Sequence, residues 1–281
     1  MKEIKIYTDS ACDLDLDYLA ELNVISIPLT VNFDNEAYRD RVDITTTQFY
    51  DKLKNFNGFP KSSQVTPAIF MKEFEKDIES GNHIIYLSFS SKLSGTYQSA
   101  CMAKQMMETD QIDVVDTKAA SVGFGLIVRE AALMVKAGKT KEEILDRVNF
   151  MVSKMEHIFA VGHLDMLKRG GRISTAQAVV GTLLHVKPIL QFEDGAIIPY
   201  DKVRGEKAVI KKLIDTMKER GDIENQQIIG LNFSEDKSLC LELKDEIEKT
   251  FGKKEFVISE IGAAIGVHVG GGTISVFFLR R

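Results

Sequence analysis

The sequence is poor in the features that mark several common classes of protein. Its three cysteines, Cys12, Cys101 and Cys240, have no paired spacing, which argues against a disulfide framework and against a structural zinc site. The formal charge of −5 shows no excess of basic residues, so the composition does not favour a protein that binds nucleic acid. Linkers, low-complexity tracts and internal repeats are missing too. The contents of 44% hydrophobic and 27% charged residues are those of an ordinary globular protein.

The motifs that mark a nucleotide site or an activated nucleophile are also missing. The sequence has no GxxxxGK[ST] phosphate loop, and Gly262, Gly266 and Gly270 do not follow a Rossmann pattern. The serines lie outside any G-x-S-x-G elbow, and the five histidines are not at the spacing of metal ligands. We therefore expect neither a metal nor a nucleotide cofactor.

Membrane signals are weak. The first residues, MKEIKIYTDS, lack the apolar core of a signal peptide, which predicts a cytoplasmic protein. Residues 261–279 carry no formal charge and are close to membrane-spanning length. They contain five glycines, three of them consecutive at residues 270–272, with His268 near the middle. Because consecutive glycines are typical of a turn or a close backbone approach, we predict a glycine turn followed by a terminal strand.

What the sequence contains is an alternation of short apolar runs with amphipathic segments. Residues 3–8 form a compact strand pattern, and a polar turn and a helix pattern follow. Such alternation is typical of an α/β protein, and 281 residues suit one large or two medium domains. Residues 119–135 are apolar on nearly every side, which predicts a helix buried between layers. Residues 24–33 predict one strand, with Pro28 indicating an edge.

The pattern of the sequence changes near residue 158, where an amphipathic helix pattern gives way to a strand pattern, and we predict a domain boundary there. Residues 164–174 predict a tight basic loop, and a second uncharged run follows it. Residues 187–196 then predict a strand that enters a hairpin turn. The predicted domains are residues 1–158 and residues 159–281.

Residues 84–103 combine a strand pattern, a loop of serine and glycine, and the start of a helix. Ser94 and Gly95 lie in this loop, next to the helical pattern that begins at Tyr97. Backbone N–H groups and hydroxyls at the positive end of a helix dipole suit a bound anion. An ordinary helix cap, in which Ser94 satisfies its own turn, explains the same residues.

Three further stretches outside the predicted helices are rich in hydroxyl groups or glycine. They are residues 8–10, 62–66 and 262–272, and each adjoins a predicted strand. Ligand sites of α/β proteins gather at such positions, so we expect these stretches to contribute to one site.

Several polar residues have more than one interpretation. Ser94, His268 and Asp9 could form a Ser–His–Asp device, since triads assemble from distant positions, but nothing local supports it. His268 lies among glycines that let a backbone approach a bound group, and it could equally be a hydrogen-bonded packing residue. Arg169 and Arg172 are either surface charges or parts of a compact, fixed loop.

Taken in order, these stretches resemble those of the DegV family of bacterial fatty-acid-binding proteins. The matching motifs are TDSACD at 8–13, SSQVTP at 62–67, LSGTYQSA at 93–100, LKRGGRIS at 167–174, KPIL at 187–190, VRGEKA at 203–208 and IGAAIGVHVGGG at 261–272. The ordered set covers the whole chain and is highly specific, although each motif alone is weak. Ser62 stands where the family usually has threonine, and Val65 and Gly271 where proline is common; none of these changes removes a polar contact.

The resemblance implies an α/β fold of two domains with a long-chain fatty acid held between them. The N-terminal domain would be a three-layer α/β/α unit with a parallel sheet, and the C-terminal domain a two-layer unit with a mixed sheet. The acyl chain would occupy an apolar tunnel, and the carboxylate would contact hydroxyl groups. The ligand-binding residues implied by the resemblance are Ser62, Ser94, Gly95, His268, Arg169 and Arg172. Ser62 and Ser94 would contact the carboxylate, and His268 would complete the polar network.

The resemblance also implies a carrier without a catalytic constellation of its own. Such proteins resemble the binding subunit of a bacterial fatty acid kinase, which presents the acid to a separate ATP-binding partner that forms the acyl phosphate. An acyl hydrolase or transferase that uses Ser94 and His268 is the alternative. A basic helix predicted at residues 204–220 could dock the partner or an anionic membrane, or it could be a solvated face.

Overall fold

A computed structural model describes residues 3–173, 186–225 and 228–281 of the chain, and the described strands form three sheets. In chain order the strands are β1 Ile4–Asp9, β2 Val24–Ile27, β3 Thr30–Phe33, β4 Glu36–Arg39, β5 Lys61–Ser63, β6 His83–Ser88, β7 Ile112–Asp116, β8 Met155–Ala160, β9 Val186–Glu193, β10 Ala196–Arg204, β11 Ile228–Phe233, β12 Glu255–Glu260 and β13 Ile274–Leu279. The α-helices are α1 Leu16–Glu21, α2 Thr46–Asn55, α3 Pro67–Glu79, α4 Thr96–Met106, α5 Ser121–Lys136, α6 Lys141–Lys154, α7 Asp165–Arg169, α8 Glu206–Arg220, α9 Ser238–Phe251 and α10 Ala263–Val269. This alternation confirms the predicted α/β class.

The four-stranded sheet is parallel, has the order β2–β1–β6–β7, and is covered by helices on both faces. Successive residues of a strand point to opposite faces, which sorts its side chains into two cores. Ile6 and Ile85 pack with α5 and α6 on one face, and Tyr7 and Tyr86 pack with α3 and α4 on the other. This is the predicted three-layer α/β/α arrangement.

The six-stranded sheet is mixed, has the order β10–β9–β8–β13–β11–β12, and is covered by α8 and α9 on one face. Its strands β11 and β12 are parallel, and its other pairs are antiparallel. Ile158, Val276 and Leu231 lie side by side in this ladder and pack with the two helices. The arrangement is the predicted two-layer α/β unit.

Helix α5 lies between the two large sheets. Val122, Phe124 and Ile127 on this helix are fully buried. The helix contacts β1 of the parallel sheet and β8, β11, β12 and β13 of the mixed sheet. The predicted burial of residues 119–135 between layers is therefore confirmed.

A third, antiparallel sheet has the order β4–β3–β5 and packs against α2 and α10. It explains why the single strand predicted at residues 24–33 was wrong. The structure divides that segment around Pro28 into β2 of the parallel sheet and β3 of this small sheet. Proline has no N–H to donate to a ladder, and the side chain of Ser10 accepts from the backbone of Leu29 just beyond it at 3.1 Å.

Two segments predicted as loops contain short helices. Residues 262–272, which were placed outside the predicted helices, contain α10, and the turn predicted at the consecutive glycines 270–272 directly follows that helix. The predicted basic loop at residues 164–174 contains α7. The last residue of that loop, Ser174, and the uncharged run after it lie outside the described residues. The terminal strand predicted after the glycines is confirmed as β13.

Helix α10 forms because distant carboxylates bind its first N–H groups. Asp40 accepts hydrogen bonds from the backbone of Ala263 at 3.0 Å and of Ala264 at 3.3 Å, and Asp13 accepts from Gly262 at 2.8 Å. A negative charge at a helix N-terminus is favourable, and these carboxylates come from residues more than 200 positions earlier in the chain. Local sequence alone did not indicate this stabilisation.

The hairpin predicted around residues 193–196 is confirmed as β9 and β10. The domain boundary predicted near residue 158 falls inside β8, a strand of the mixed sheet. The division into residues 1–158 and 159–281 stays a prediction. Within the described ranges, no helix combines the length and the apolar character needed to cross a membrane.

Candidate functional site

A cavity lies between α10, the loops of the parallel sheet and one face of the mixed sheet. The apolar residues of its wall are Leu29, Phe89, Leu93, Ala120, Phe159, Leu167, Phe192, Ile197, Ile261, Ala264, Ile265, Val269 and Phe277. The polar residues of its wall are Ser62, Ser94, Ser121, His157, Arg172, Asn232, His268, Thr273 and Ser275. The lining of the cavity is therefore mostly apolar, with polar residues in the minority.

One side of the cavity is the face of the mixed sheet opposite α8 and α9. Ser275 of β13 pairs with Phe159 of β8 and with Asn232 of β11, so these three side chains point to the same face. Phe277, two residues from Ser275, points the same way. Strand register thus decides which residues reach the cavity.

Ser62 and His268 are brought together at one edge of the cavity, although 206 positions separate them. Ser62 Oγ, from β5, lies 2.8 Å from Nε2 of His268, which is in the last turn of α10. The other ring nitrogen of His268, Nδ1, is buried and has no hydrogen-bond partner among the described residues. Burial, with a smaller contribution from the charge of Arg172, lowers the pKa of His268 to about 4. The imidazole is therefore neutral at pH 7.

The position of His268 depends on a glycine. A Cβ atom on Gly170 would lie only 2.3 Å from Nδ1 of His268, so a larger residue would displace the ring. The motif KRGGRIS thus contributes a close backbone approach as well as charge.

Ser94 lines the same edge of the cavity and also caps its own turn. Its Oγ accepts from the backbone N–H of Thr96 at 3.2 Å and lies 2.8 Å from the Thr96 hydroxyl. Both interpretations of this residue, helix cap and wall of a binding site, therefore agree with its position. Gly95 is not part of the wall; a Cβ atom there would lie 2.0 Å from Oε1 of Gln64, so this glycine lets the loop pack against residues 62–66.

The two arginines predicted for the site differ in position. Arg172 lines the cavity, and its Nε donates to the carbonyl of Leu93 at 3.0 Å while its guanidinium also donates to the carbonyl of Gly170. Burial lowers the pKa of Arg172. Arg169 is exposed and stacks over the ring of Phe59, 3.7 Å from the ring centre, so it lies outside the wall. The fixed-loop interpretation thus fits Arg172, and the surface-charge interpretation fits Arg169.

Four of the polar residues predicted for the site thus line the cavity: Ser62, Ser94, Arg172 and His268. We call these four residues the polar edge.

The Ser–His–Asp device considered from the sequence is not assembled. His268 contacts Ser62, and Ser94 contacts Thr96. Asp9 is fully buried and accepts hydrogen bonds from Tyr86, the backbone of Phe89 and the backbone of Ala11. Burial raises the pKa of Asp9 to about 6. The carboxylate stabilises the loop after β1 and does not orient His268.

Sequence reasoning missed the polar residues on the sheet side of the cavity. His157, Ser121 and Asn232 lie in apolar or unremarkable sequence, and only strand register and the start of α5 bring them to the wall. The imidazole of His157 stacks on Phe192, with ring centres 4.5 Å apart, and burial lowers its pKa to about 4. No local motif indicated these positions.

Sequence reasoning also missed the ion pair of Arg41 and Asp13 at the start of α10. Arg41 lies 3.3 Å from Asp13 and donates to the carbonyl of Glu260 at 2.9 Å. Burial raises the pKa of Asp13 to about 6, although the charge of Arg41 opposes this. Asp13 is the last residue of the TDSACD motif, so the motif marked this residue, but the sequence did not show that its carboxylate binds the start of α10.

The described residues include no group of three or more His, Cys, Asp or Glu that could hold a metal ion.

Comparison with known proteins shows the family to which this chain belongs. The family model described as "Uncharacterised protein, DegV family COG1307" matches residues 3–281. The chain belongs to the DegV family. A DegV domain-containing protein of Caldanaerobacter subterraneus is 37% identical over 281 residues, covering 100% of both chains. One from Clostridium perfringens is 39% identical over 290 residues, covering 99% of this chain and 98% of the relative.

Solved structures of similar proteins, two of them described as DegV proteins, have the same fold. A DegV family protein from Thermus thermophilus, described for its fatty acid binding, has a TM-score of 0.90 and 33% identity, covering 99% of this chain and 100% of its own. DegV from Bacillus subtilis, described as a fatty acid binding protein, has a TM-score of 0.89 and 29% identity over 100% of both chains. A protein from Eubacterium ventriosum, described as binding stearic acid, has a TM-score of 0.88 and 28% identity, covering 100% of this chain and 98% of its own.

Proposed function

We propose that this chain binds one long-chain fatty acid, with the carboxylate at the polar edge and the acyl chain along the apolar wall of the cavity. The observation that carries this proposal is the cavity itself: a mostly apolar lining with Ser62 and His268 in hydrogen-bond contact at one edge. The solved structures of similar proteins that are described as binding fatty acids support the same ligand class.

The polar edge supplies what a buried carboxylate needs. A carboxylate without hydrogen-bond donors would be strongly disfavoured in this cavity. Ser62 and Ser94 each have a hydroxyl that can turn to donate, and Arg172 lies in the same wall as a positive charge. A bound carboxylate would favour the protonated form of His268, because an opposite charge raises the pKa of an imidazole.

The apolar wall supplies affinity. Burying about 14 methylene groups at roughly 0.8 kcal/mol each gives an upper estimate near 11 kcal/mol. The loss of motional freedom on binding removes much of that. The acyl chain therefore provides most of the binding free energy, while the polar edge fixes the register of the acid.

In the cell, the chain would act as a carrier that presents the bound acid to a separate ATP-dependent fatty acid kinase, which forms the acyl phosphate. The family resemblance supports this role, and the sequence has no phosphate-loop motif of its own. The cytoplasm, where ATP is available, is the proposed location. The kinase and transient contact with a membrane surface are the proposed partners beyond the acid.

The basic helix α8 gives limited support for a docking role. Lys211 pairs with Asp215 at 2.5 Å, and Lys212 pairs with Asp201 at 2.8 Å. Acidic residues of the same chain therefore compensate part of this positive surface. Reversal of the charges on α8 tests whether this helix docks the kinase or a membrane.

Mass spectrometry of lipid extracted from the purified chain tests the proposal. We expect about one fatty acid per chain, and a smaller amount from a Ser94→Ala variant of equal thermal stability. Removing a donor from a buried acceptor weakens binding by about 1–3 kcal/mol, which titration with a labelled fatty acid can measure. No fatty acid released from the denatured protein, and no binding on titration, would overturn the proposal.

Two activity assays test the carrier role. Incubation with the kinase and ATP should yield acyl phosphate only when both proteins are present. Incubation with an acyl ester should give no turnover above background. Ester turnover that is lost in His268→Ala would instead support the hydrolase alternative.

A further inference from the structure

The cavity has a second polar group, separate from the polar edge, on the sheet side of its wall. We call Ser121, Asn232, Thr273 and Ser275 the inner polar group. Asn232, Thr273 and Ser275 come from β11 and the residues at the start of β13, and Ser121 is the first residue of α5. Each of the four is at most 5% exposed. These four residues therefore form an enclosed polar site inside the protein and not a patch on its surface.

Two atoms of the inner polar group lack a partner among the described residues. Asn232 donates through its amide nitrogen to Ser121, and Ser121 donates to Asp13, but Oδ1 of Asn232 has no hydrogen-bond partner there. The hydroxyl of Thr273 has none either. Buried polar groups are normally hydrogen-bonded, so a bound ligand or an ordered water molecule must supply the partner of these two atoms. A plain acyl chain cannot supply one.

The two polar sites lie at opposite ends of α10. Asp13, which accepts from Ser121, binds the backbone of Gly262 just before the helix, and His268 is in its last turn. Six residues separate Gly262 from His268, which is about 9 Å at 1.5 Å per residue. An extended hydrocarbon chain advances about 1.3 Å per carbon atom, because its C–C bonds of about 1.5 Å lie in a zigzag, so the length of α10 corresponds to roughly seven carbon atoms. The inner polar group is connected to Gly262 through two further hydrogen bonds, by way of Asp13 and Ser121, so a group that meets it would be near the middle of a long acyl chain, at about carbon 10.

We infer that the inner polar group is a subsite for a hydroxyl carried midway along a fatty acyl chain, so that the cavity accepts hydroxylated fatty acids as well as plain ones. A hydroxyl is the chemistry that fits, because it can donate to Oδ1 of Asn232 and exchange a hydrogen bond with Thr273. A larger or charged substituent would meet the aromatic lining of the sheet side, which includes Phe159 and Phe277. The inference rests on the proposed fatty acid site.

Competitive titration with three probes tests this inference: octadecanoic acid, 10-hydroxyoctadecanoic acid and 2-hydroxyoctadecanoic acid. In the unaltered chain, the 10-hydroxy acid should bind at least as tightly as octadecanoic acid despite its greater solubility in water. In Asn232→Leu, whose side chain has the same number of heavy atoms in the same branched arrangement, the affinity of the 10-hydroxy acid relative to octadecanoic acid should fall by about tenfold, the effect of losing one buried hydrogen bond. The 2-hydroxy acid, whose hydroxyl lies beside the carboxylate, should show no such change.

Two further variants keep the test decisive if Asn232→Leu does not fold. Thr273→Val preserves shape and should lower the relative affinity of the 10-hydroxy acid. Phe192→Leu alters the apolar lining and should change the affinity of both acids by the same factor. Equal relative affinities in the unaltered chain, Asn232→Leu and Thr273→Val would overturn the inference while leaving the proposed function intact.

A crystal structure with octadecanoic acid separates the hydroxyl subsite from a simple water site. A water molecule bound to Asn232 that stays in place with the 10-hydroxy acid would overturn the inference. Displacement of that water by the 10-hydroxyl would support it. Failure of every probe to bind the unaltered chain would overturn the proposed function as well.

Discussion

The two large sheets use their faces differently. The parallel sheet has helices on both faces, which bury its side chains in two cores. The mixed sheet has α8 and α9 on one face, whereas its other face is shared between α5 and the cavity, which Phe159, Asn232 and Ser275 line. A face packed entirely against helices gains stability, whereas a face that is partly left to a ligand gives up some packing to bind. The two kinds of residue should therefore respond differently to substitution.

The largest effect is expected from a core residue of the parallel sheet's layers. Phe70 is fully buried and packs against Tyr86 and Phe74, with ring centres 4.9 and 5.5 Å away. Phe70→Ala should lower the free energy of unfolding by about 3–5 kcal/mol in urea titrations of the ligand-free protein. Phe192→Ala, on the cavity side, should lower it clearly less but weaken fatty acid binding. Equal losses of stability in Phe70→Ala and Phe192→Ala would contradict the distinction between residues packed in a core and residues that line the cavity.

Neighbouring serines of β5 sharpen the comparison at the polar edge. Ser62 lines the cavity, while Ser63 is exposed, since adjacent residues of a strand point to opposite sides. Ser62→Ala should weaken fatty acid binding by about 1–3 kcal/mol, because it leaves a buried carboxylate without one donor. Ser63→Ala is the matched control and should bind as the unaltered chain does. Calorimetric titration at one pH measures both.

A smaller effect is expected from acidification of the ligand-free chain. The pKa of His268 is about 4 in the folded chain and near 6.5 when unfolded, so between these values the unfolded chain binds more protons. Lowering the pH from 6.5 towards 4 should therefore destabilise the unaltered chain relative to His268→Gln, by at most about 1.4 kcal/mol per pH unit.

The buried carboxylates act in the opposite direction. Burial raises the pKa of Asp9 and of Asp13 to about 6, so these groups favour the folded chain as the pH falls below 6. The unaltered chain and His268→Gln both contain Asp9 and Asp13, so the contribution of these carboxylates cancels in the difference between their free energies of unfolding. A difference in unfolding free energy that does not change with pH would contradict the burial of a neutral His268.

The smallest effect on the site is expected from the covered face of the mixed sheet. Helix α8 packs on the face opposite the cavity, so the double variant Lys207→Glu, Lys211→Glu should leave fatty acid affinity unchanged. Its association with the kinase or with anionic vesicles should weaken only if this helix docks them. Salt-insensitive association that the charge reversal does not alter would exclude α8 as the docking surface. A loss of fatty acid affinity comparable to that of Ser62→Ala would contradict the separation of the two faces.

The sequence was sufficient to predict the regular parts of the molecule. Apolar periodicity located most strands and helices, and the uncharged run of residues 119–128, with the apolar residues 131–135 after it, predicted a helix between layers. The ordered motifs identified the family and, through it, Ser62, Ser94 and His268, which the structure brings to one cavity. Their roles at a carboxylate stay predictions.

The remaining features depend on contacts between distant residues. Helix α10 forms in glycine-rich sequence because Asp13 and Asp40 bind its first N–H groups, and no local pattern shows that. Asn232 reaches the cavity because β13 pairs between β8 and β11, a register fixed only in the folded sheet. The single strand predicted around Pro28 was wrong because the alternation of apolar residues continues across a change of sheet.

Nuclear magnetic resonance of octadecanoic acid labelled with ¹³C at the carboxyl carbon tests the central claim most directly. The bound acid should give one carboxyl signal whose chemical shift changes in Ser62→Ala and in His268→Gln. The signal should keep its position in Phe277→Leu, which alters the wall on the sheet side. A carboxyl signal that is unaffected by the changes at Ser62 and His268, or that follows Phe277 instead, would contradict the placement of the carboxylate at the polar edge.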